Sequence, residues 1–161
     1  MSITLSRVLK IKNKLAGEVK DLKNKIMSKN VILVGKNTNL EITTNKYNVH
    51  KMYEELKNKK SKLVNLKIII NDANREIIHN IFTISELKDT LKFISSLDIK
   101  EGVLSRSSYI DTDPQEYFSQ IDDNERDKIK KELENQIDLI QEEIDQYNHN
   151  TIIDIEPKDF E

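Results

Sequence analysis

The chain has 161 residues, 34% of them charged, with 26 Lys/Arg against 28 Asp/Glu and a formal net charge of −2. It contains no Cys and no Trp, which excludes a disulfide framework, thiolate metal sites and a cysteine nucleophile. Three Gly and two Pro leave few places to end an element, so long helices in a single domain are expected, with length enough to bury a core. No apolar run approaches the ~18 residues needed to span a bilayer. With no secretory leader pattern and no cysteines, a cytoplasmic protein is expected.

The small net charge hides an uneven distribution: residues 1–80 carry 17 Lys/Arg against 7 Asp/Glu, and residues 81–161 carry 9 against 21. Such a split fits a nucleic-acid-binding half with an acidic tail, or basic helices packed beside an acidic one within a chain or between subunits. The acidic half keeps a helical apolar stripe and is no tail. Packing is therefore the preferred explanation, and nucleic acid is not an expected partner.

In chain order, the first helix is predicted over 2–27, where Ile11, Leu15, Val19, Leu22 and Ile26 recur at steps of three and four, the spacing that keeps one apolar stripe on one face. Val31–Val34 and Leu40–Ile42 flank the turn-forming Gly35-Lys-Asn-Thr-Asn39, either as a β-hairpin over 31–42 or as an ordered loop. The second helix is predicted over 46–79. Val49, Met52, Leu56, Leu63, Leu66, Ile70, Ala73 and Ile77 follow a heptad register, with Lys59 at the one polar seam position, as in a coiled-coil-like seam. Lys59 either lays its methylenes along the seam or meets a carboxylate from the acidic half.

Thr83-Ile-Ser-Glu86 matches a capping box, with Phe82 and Leu87 placed as a hydrophobic staple. It predicts a third helix over 84–97 burying Leu87, Leu91, Ile94 and Leu97. A β-prone stretch follows over 103–110. Asp113-Pro-Gln-Glu116 and Asp122-Asp-Asn-Glu125 are both start signals, so the closing helix over 114–148 is either continuous or broken near Asp122. Its stripe is Ile129, Leu133, Ile137, Ile140, Ile144 and Tyr147. Thr151–Ile155 is a candidate strand, and the residues from Pro157 are expected to form a loose tail. The fold class expected is mainly α: a long antiparallel helical hairpin or coiled-coil-like bundle with a small β-hairpin or short sheet element.

Helices of about thirty residues, at 1.5 Å per residue, reach ~45 Å and exceed the ~30–35 Å diameter of a compact domain of this size. Part of each apolar stripe must then meet another copy or another protein. A homo-oligomer is expected, with Leu56, Leu63, Leu66, Ile70, Ile137, Ile140 and Ile144 as candidate interface residues.

Little points to catalysis. His50, His79 and His149 lack metal-pair spacing, and no zinc motif occurs. There is no glycine-rich phosphate loop and no nucleophile elbow, and nothing marks two carboxylates for the burial that an acid–base pair needs. No catalytic residue, metal or cofactor is expected. The run Lys57-Asn-Lys-Lys-Ser-Lys62 spreads its charges around a helix without interleaved aromatics, as a solvated face does. Asn71 and Asn74, three apart and followed by Arg75, are poor helix formers sharing one face. They either fix helix register by hydrogen bonds or, with Arg106, line a pocket for a small anionic ligand such as a nucleotide, held between subunits.

Asn71-x-x-Asn74, Thr83-Ile-Ser-Glu-Leu87, the Arg106–Asp113 segment and the run from Ile137 through Ile144-Asp-x-x-Asn148 to Thr151 occur in that order. Together they resemble the septicolysin-like family of small bacterial proteins of unassigned function. The likeness covers most of the chain. Asp145 and His149 stand where the family pattern has glutamine and tryptophan around the final asparagine, and Val31–Ile42 has no counterpart in it. The resemblance implies an α-helical fold with a small β element and supplies no catalytic residues.

Overall fold

The computed structural model describes residues 2–31, 48–103 and 116–160. The elements are β1 (Ser2–Thr4), α1 (Leu5–Lys29), α2 (Val49–Ala73), a 3₁₀ turn (Asn74–Glu76), α3 (Ile78–Ser95), β2 (Gly102–Val103), β3 (Glu116–Tyr117), α4 (Asp123–Asn150), β4 (Ile152–Asp154) and a last 3₁₀ turn (Pro157–Phe160). The fold is mainly helical, its helices packing in pairs, α1 with α2 and α3 with α4, beside small antiparallel strand pairs. The expected hairpin over 31–42 lies, apart from Val31, outside the described residues, and so does the 103–110 stretch after Val103.

Three of the helices, α1, α2 and α4, start where side chains satisfy the first free N–H groups. The Thr4 hydroxyl accepts from the Arg7 N–H at 3.3 Å, the Asn48 side chain accepts from the Lys51 N–H at 2.9 Å, and the Asp122 carboxylate accepts from the Glu125 N–H at 2.7 Å. Several expected boundaries move accordingly. Residues 2–4 are strand, not helix. The second helix stops at Ala73, in a run of Asn71, Asp72 and Asn74, residue types of low helix propensity. The third helix starts at Ile78, so Thr83 and Glu86 lie inside it and the expected capping box is not formed. The closing helix starts at Asp123: the second of its two start signals is the working one, and Glu116–Tyr117 is extended.

Contacts divide the chain into two compact units, Met1–Glu76 with Asp145–Glu161 and Ile77–Ile144. The first unit is discontinuous in sequence, its two segments joined by the strand pair β1–β4, which runs antiparallel with Ser2 opposite Asp154, Ile3 opposite Ile153 and Thr4 opposite Ile152. The core of this unit is Leu5, Val8 and Leu15 of α1 against Leu66 and Ile70 of α2, with Ile3, Ile153, Ile155 and Phe160 packed on it. A second cluster, Val19, Leu22 and Leu56, lies farther along the same helix pair. Phe160 corrects the expectation of a loose tail: its ring has apolar surface to cover, and Pro157–Phe160 turns it back onto the core.

In the second unit Ile84 and Ile94 are the buried residues of α3. Asn80 donates a hydrogen bond to the Glu143 carboxylate, and Lys88 donates to Gln141 at 3.4 Å, both linking α3 to α4. The two-residue pair β2–β3 sets Gly102 opposite Tyr117 and Val103 opposite Glu116. Gly102 has φ +104°, a backbone state that only glycine adopts without strain.

Candidate functional site

The candidate interface residues fall into two groups. Leu56, Leu66 and Ile70 are buried within the first unit against α1, and Leu63 is half-buried between both clusters. In α4, Ile137, Ile140 and Ile144 are half-buried. The heptad seam seen in the sequence of α2 is therefore occupied by the chain's own first helix.

Lys59, the polar member of that seam, donates from its ammonium to Glu18 at 2.7 Å, with Glu55 3.9 Å away. Its partner comes from α1, in the basic half of the sequence, and not from the acidic half. The hydrogen bond from Lys59 is the main reason the Glu18 carboxyl lies below the ordinary carboxylate range. Desolvation opposes it, and the charges of Lys59, Lys14 and Lys62 add to it.

What the seam leaves over is a second apolar set. On α2, Tyr53, Val64 and Ile68 are 52%, 54% and 56% exposed. They recur at spacings of eleven and four residues, so they share one face of the helix, turned away from Leu66 and Ile70. On α3, Phe82 and Phe93 are 64% and 59% exposed, with Ile78 at the exposed border. Here too the spacings are four and eleven, and the residues line one face, away from Ile84 and Ile94. On α4, Leu139 is exposed. α2 and α3 thus each have one apolar side covered and another uncovered.

The polar candidates are placed less tightly. Asn71 is exposed. Asn74 is half-buried at the end of α2, where its N–H bonds the Ile70 and Asp72 carbonyls. The Arg75 guanidinium is held by Asp72 at 2.9 Å, and Arg106 lies outside the described residues. None of the three described candidates lines the two concavities described next. A groove of about 380 Å³ lies instead on α1, lined by Thr4, Ser6, Arg7, Lys10, Ile11, Lys14 and His149. Arg7, Lys10 and Lys14 stand at steps of three and four on one helix face, a signal present in the sequence and passed over because lysines cover so much of α1. A second concavity, in the other unit, is bounded by Leu97–Lys100 and Tyr117–Ile121. The Lys100 ammonium there lies 6.0 Å from the centre of the Tyr117 ring and pairs with the Asp98 carboxylate.

Among the described residues no group of His, Cys, Asp or Glu is placed to hold a metal ion, and no helix is long and apolar enough to cross a membrane. The Tyr147 hydroxyl, unforeseen from its place in an apolar stripe, donates to the Ala73 carbonyl at 2.6 Å. Comparison with protein-family models, curated proteins and solved structures finds no match to this chain.

Proposed function

We propose that the chain is a homo-oligomeric helical assembly protein without catalytic activity of its own. The observation that carries this reading is the outward apolar set Val64, Ile68, Phe82, Phe93 and Leu139, each more than half exposed. Soluble monomers scatter single apolar residues over their surface, whereas residues recurring on one helix face mark a contact. A pair of helices buries only the sides they turn to one another, so a second side that is also apolar needs a second layer. The septicolysin-like resemblance is compatible with this reading and adds no chemistry to it. Sedimentation velocity over a range of micromolar concentrations tests the proposal. The expected result is a species of at least twice the 18.8 kDa chain mass. A folded species of the single-chain mass at every concentration would overturn it.

A second reading, binding of a small anionic ligand such as a nucleotide, draws support from the α1 groove rather than from Asn71, Asn74, Arg75 and Arg106. Arg7, Lys10 and Lys14 there offer cationic donors beside His149 and apolar Ile11, a combination that suits a phosphate joined to a flat ring. A thermal shift with ATP or inorganic phosphate that disappears in Lys10→Ala supports this reading; no shift at millimolar ligand counts against it.

A further inference from the structure

The outward faces of α2 and α3 match one another residue by residue. Along α2 the face reads Tyr53, Lys57, Lys60, Val64, Ile68; along α3 it reads Ile78, Phe82, Glu86, Asp89, Phe93. The steps are four, three, four and four on α2, and four, four, three and four on α3, so one list reversed has the spacing of the other. Set antiparallel, Tyr53 meets Phe93, Lys57 meets Asp89, Lys60 meets Glu86, Val64 meets Phe82 and Ile68 meets Ile78. Three apolar layers then enclose two layers in which every basic residue faces an acidic one. Steps of three and four are those of a helix–helix seam.

We infer that α2 of one copy packs antiparallel against α3 of a second copy through these faces, a proposal that rests on the assembly reading above. Charge complementarity selects the occupant. A second α2 face would oppose lysines to lysines, and a second α3 face carboxylates to carboxylates, both unfavourable at contact distance. Both faces stand exposed on one chain, Val64 at 54% and Phe82 at 64%, so each copy has one of each to offer. Made twice, between α2 and α3 of each copy and its partner, the contact would close a dimer. The five layers extend over about 22 Å at 1.5 Å per residue. Existing contacts of the face yield readily. Lys57 pairs with Glu54 at 2.7 Å, with side chains 53% and 64% exposed, and lies 5.5 Å from the Tyr53 ring centre. Exposed i,i+3 pairs of that kind contribute little.

The experiment is a charge exchange in the full chain. Lys57→Glu/Lys60→Glu and Glu86→Lys/Asp89→Lys are each expected to weaken self-association about tenfold or more while far-UV circular dichroism stays that of the parent. Mixing the two variants is expected to restore association, because each contact in the mixed dimer again opposes unlike charges. If both variants associate as the parent does, or if the mixture stays dissociated, the pairing of faces is wrong while the assembly reading stands. If the parent itself stays a single chain, the assembly reading and the pairing both fall. An independent arm uses the absence of natural cysteine. A short bismaleimide is expected to join Val64→Cys to Phe82→Cys chains in a mixture. A product confined to one chain carrying both substitutions would show that the chain satisfies its own faces, and would overturn the proposal.

Discussion

The ammonium of Lys59 lies 2.7 Å from the carboxylate of Glu18, joining α2 to α1 between the two apolar clusters of their seam. The lysine is 22% exposed and the glutamate 36%, so the pair is neither a solvated surface contact nor a dry one. A carboxylate held below its ordinary value stabilises the fold fully above its unfolded value, near 4.5. That contribution is lost as pH falls through the lower folded value. Glu18→Gln is expected to cost about 0.5–1 kcal/mol at neutral pH, given the partial exposure. The gap to the parent should close as pH falls through the lowered folded value. Urea midpoints at neutral pH and in acid check this; an equal gap at both would mean that Glu18 acts by packing and not by charge.

The two sides of α2 predict opposite responses to similar truncations. Leu66 is fully buried among Leu5, Val8, Leu15 and Ile70. Leu66→Ala therefore loses transfer energy and leaves a cavity, a cost of about 2–5 kcal/mol. Val64, two residues earlier and 54% exposed, should change the stability of dilute, dissociated chain by no more than about 0.5 kcal/mol when cut to Ala. Denaturant unfolding at low concentration measures both. A large loss from Val64→Ala under those conditions would place its side chain in a core, contrary to the exposed face described above.

The stripes of α1 and α2 were legible because apolar spacing reports directly on which side of a helix is buried: Leu15, Val19, Leu22, Leu56, Leu66 and Ile70 are buried as the spacing predicts. Spacing does not say what covers a stripe: Leu56, Leu66 and Ile70, expected in part to meet another copy or another protein, are covered by α1. Capping signals were less reliable, because Thr83 and Asp122 carry equally good local chemistry and only the tertiary fold decides where the chain leaves the helix. It leaves at Asn74–Ile77, six residues before Thr83. Strand β1 was not legible at all: three residues need a partner to be a strand, and that partner, Ile152–Asp154, lies at the other end of the sequence. Asn71 and Asn74, expected inside a helix running to His79, stand instead at its end: α2 stops at Ala73 and Asn74–Glu76 is a 3₁₀ turn.

That choice between caps has a measurable consequence. Asp122 accepts the Glu125 N–H at 2.7 Å at the start of α4, so Asp122→Ala should cost about 1 kcal/mol. Thr83, inside α3 with its hydroxyl 3.4 Å from the His79 ring, has no cap to lose. Thr83→Ala should change stability by under about 0.5 kcal/mol. Thermal unfolding of the two variants compares them under one condition. A greater loss from Thr83→Ala would restore the capping box and the later start of the third helix.

The hydrogen bond from Tyr147 to the Ala73 carbonyl, 2.6 Å long and partly buried, answers a problem set by the sequence of α2. A helix ends with carbonyls that have no partner within it, and α2 ends without a glycine to turn the chain sharply. The phenol supplied by α4 satisfies one of them, while its ring packs on the core of the same unit. Tyr147→Phe keeps the ring and removes only the hydroxyl, leaving the carbonyl to water or to nothing. The expected loss is about 1 kcal/mol, rising towards about 3 if no water reaches the oxygen. Amide exchange should quicken around Asn74–Ile77 more than at Leu15 or Leu66, because the bond holds the end of α2 and not its middle. Uniform quickening along the chain would show instead that the hydroxyl supports the whole unit, and an unchanged midpoint with unchanged exchange would show that the carbonyl needs no protein partner.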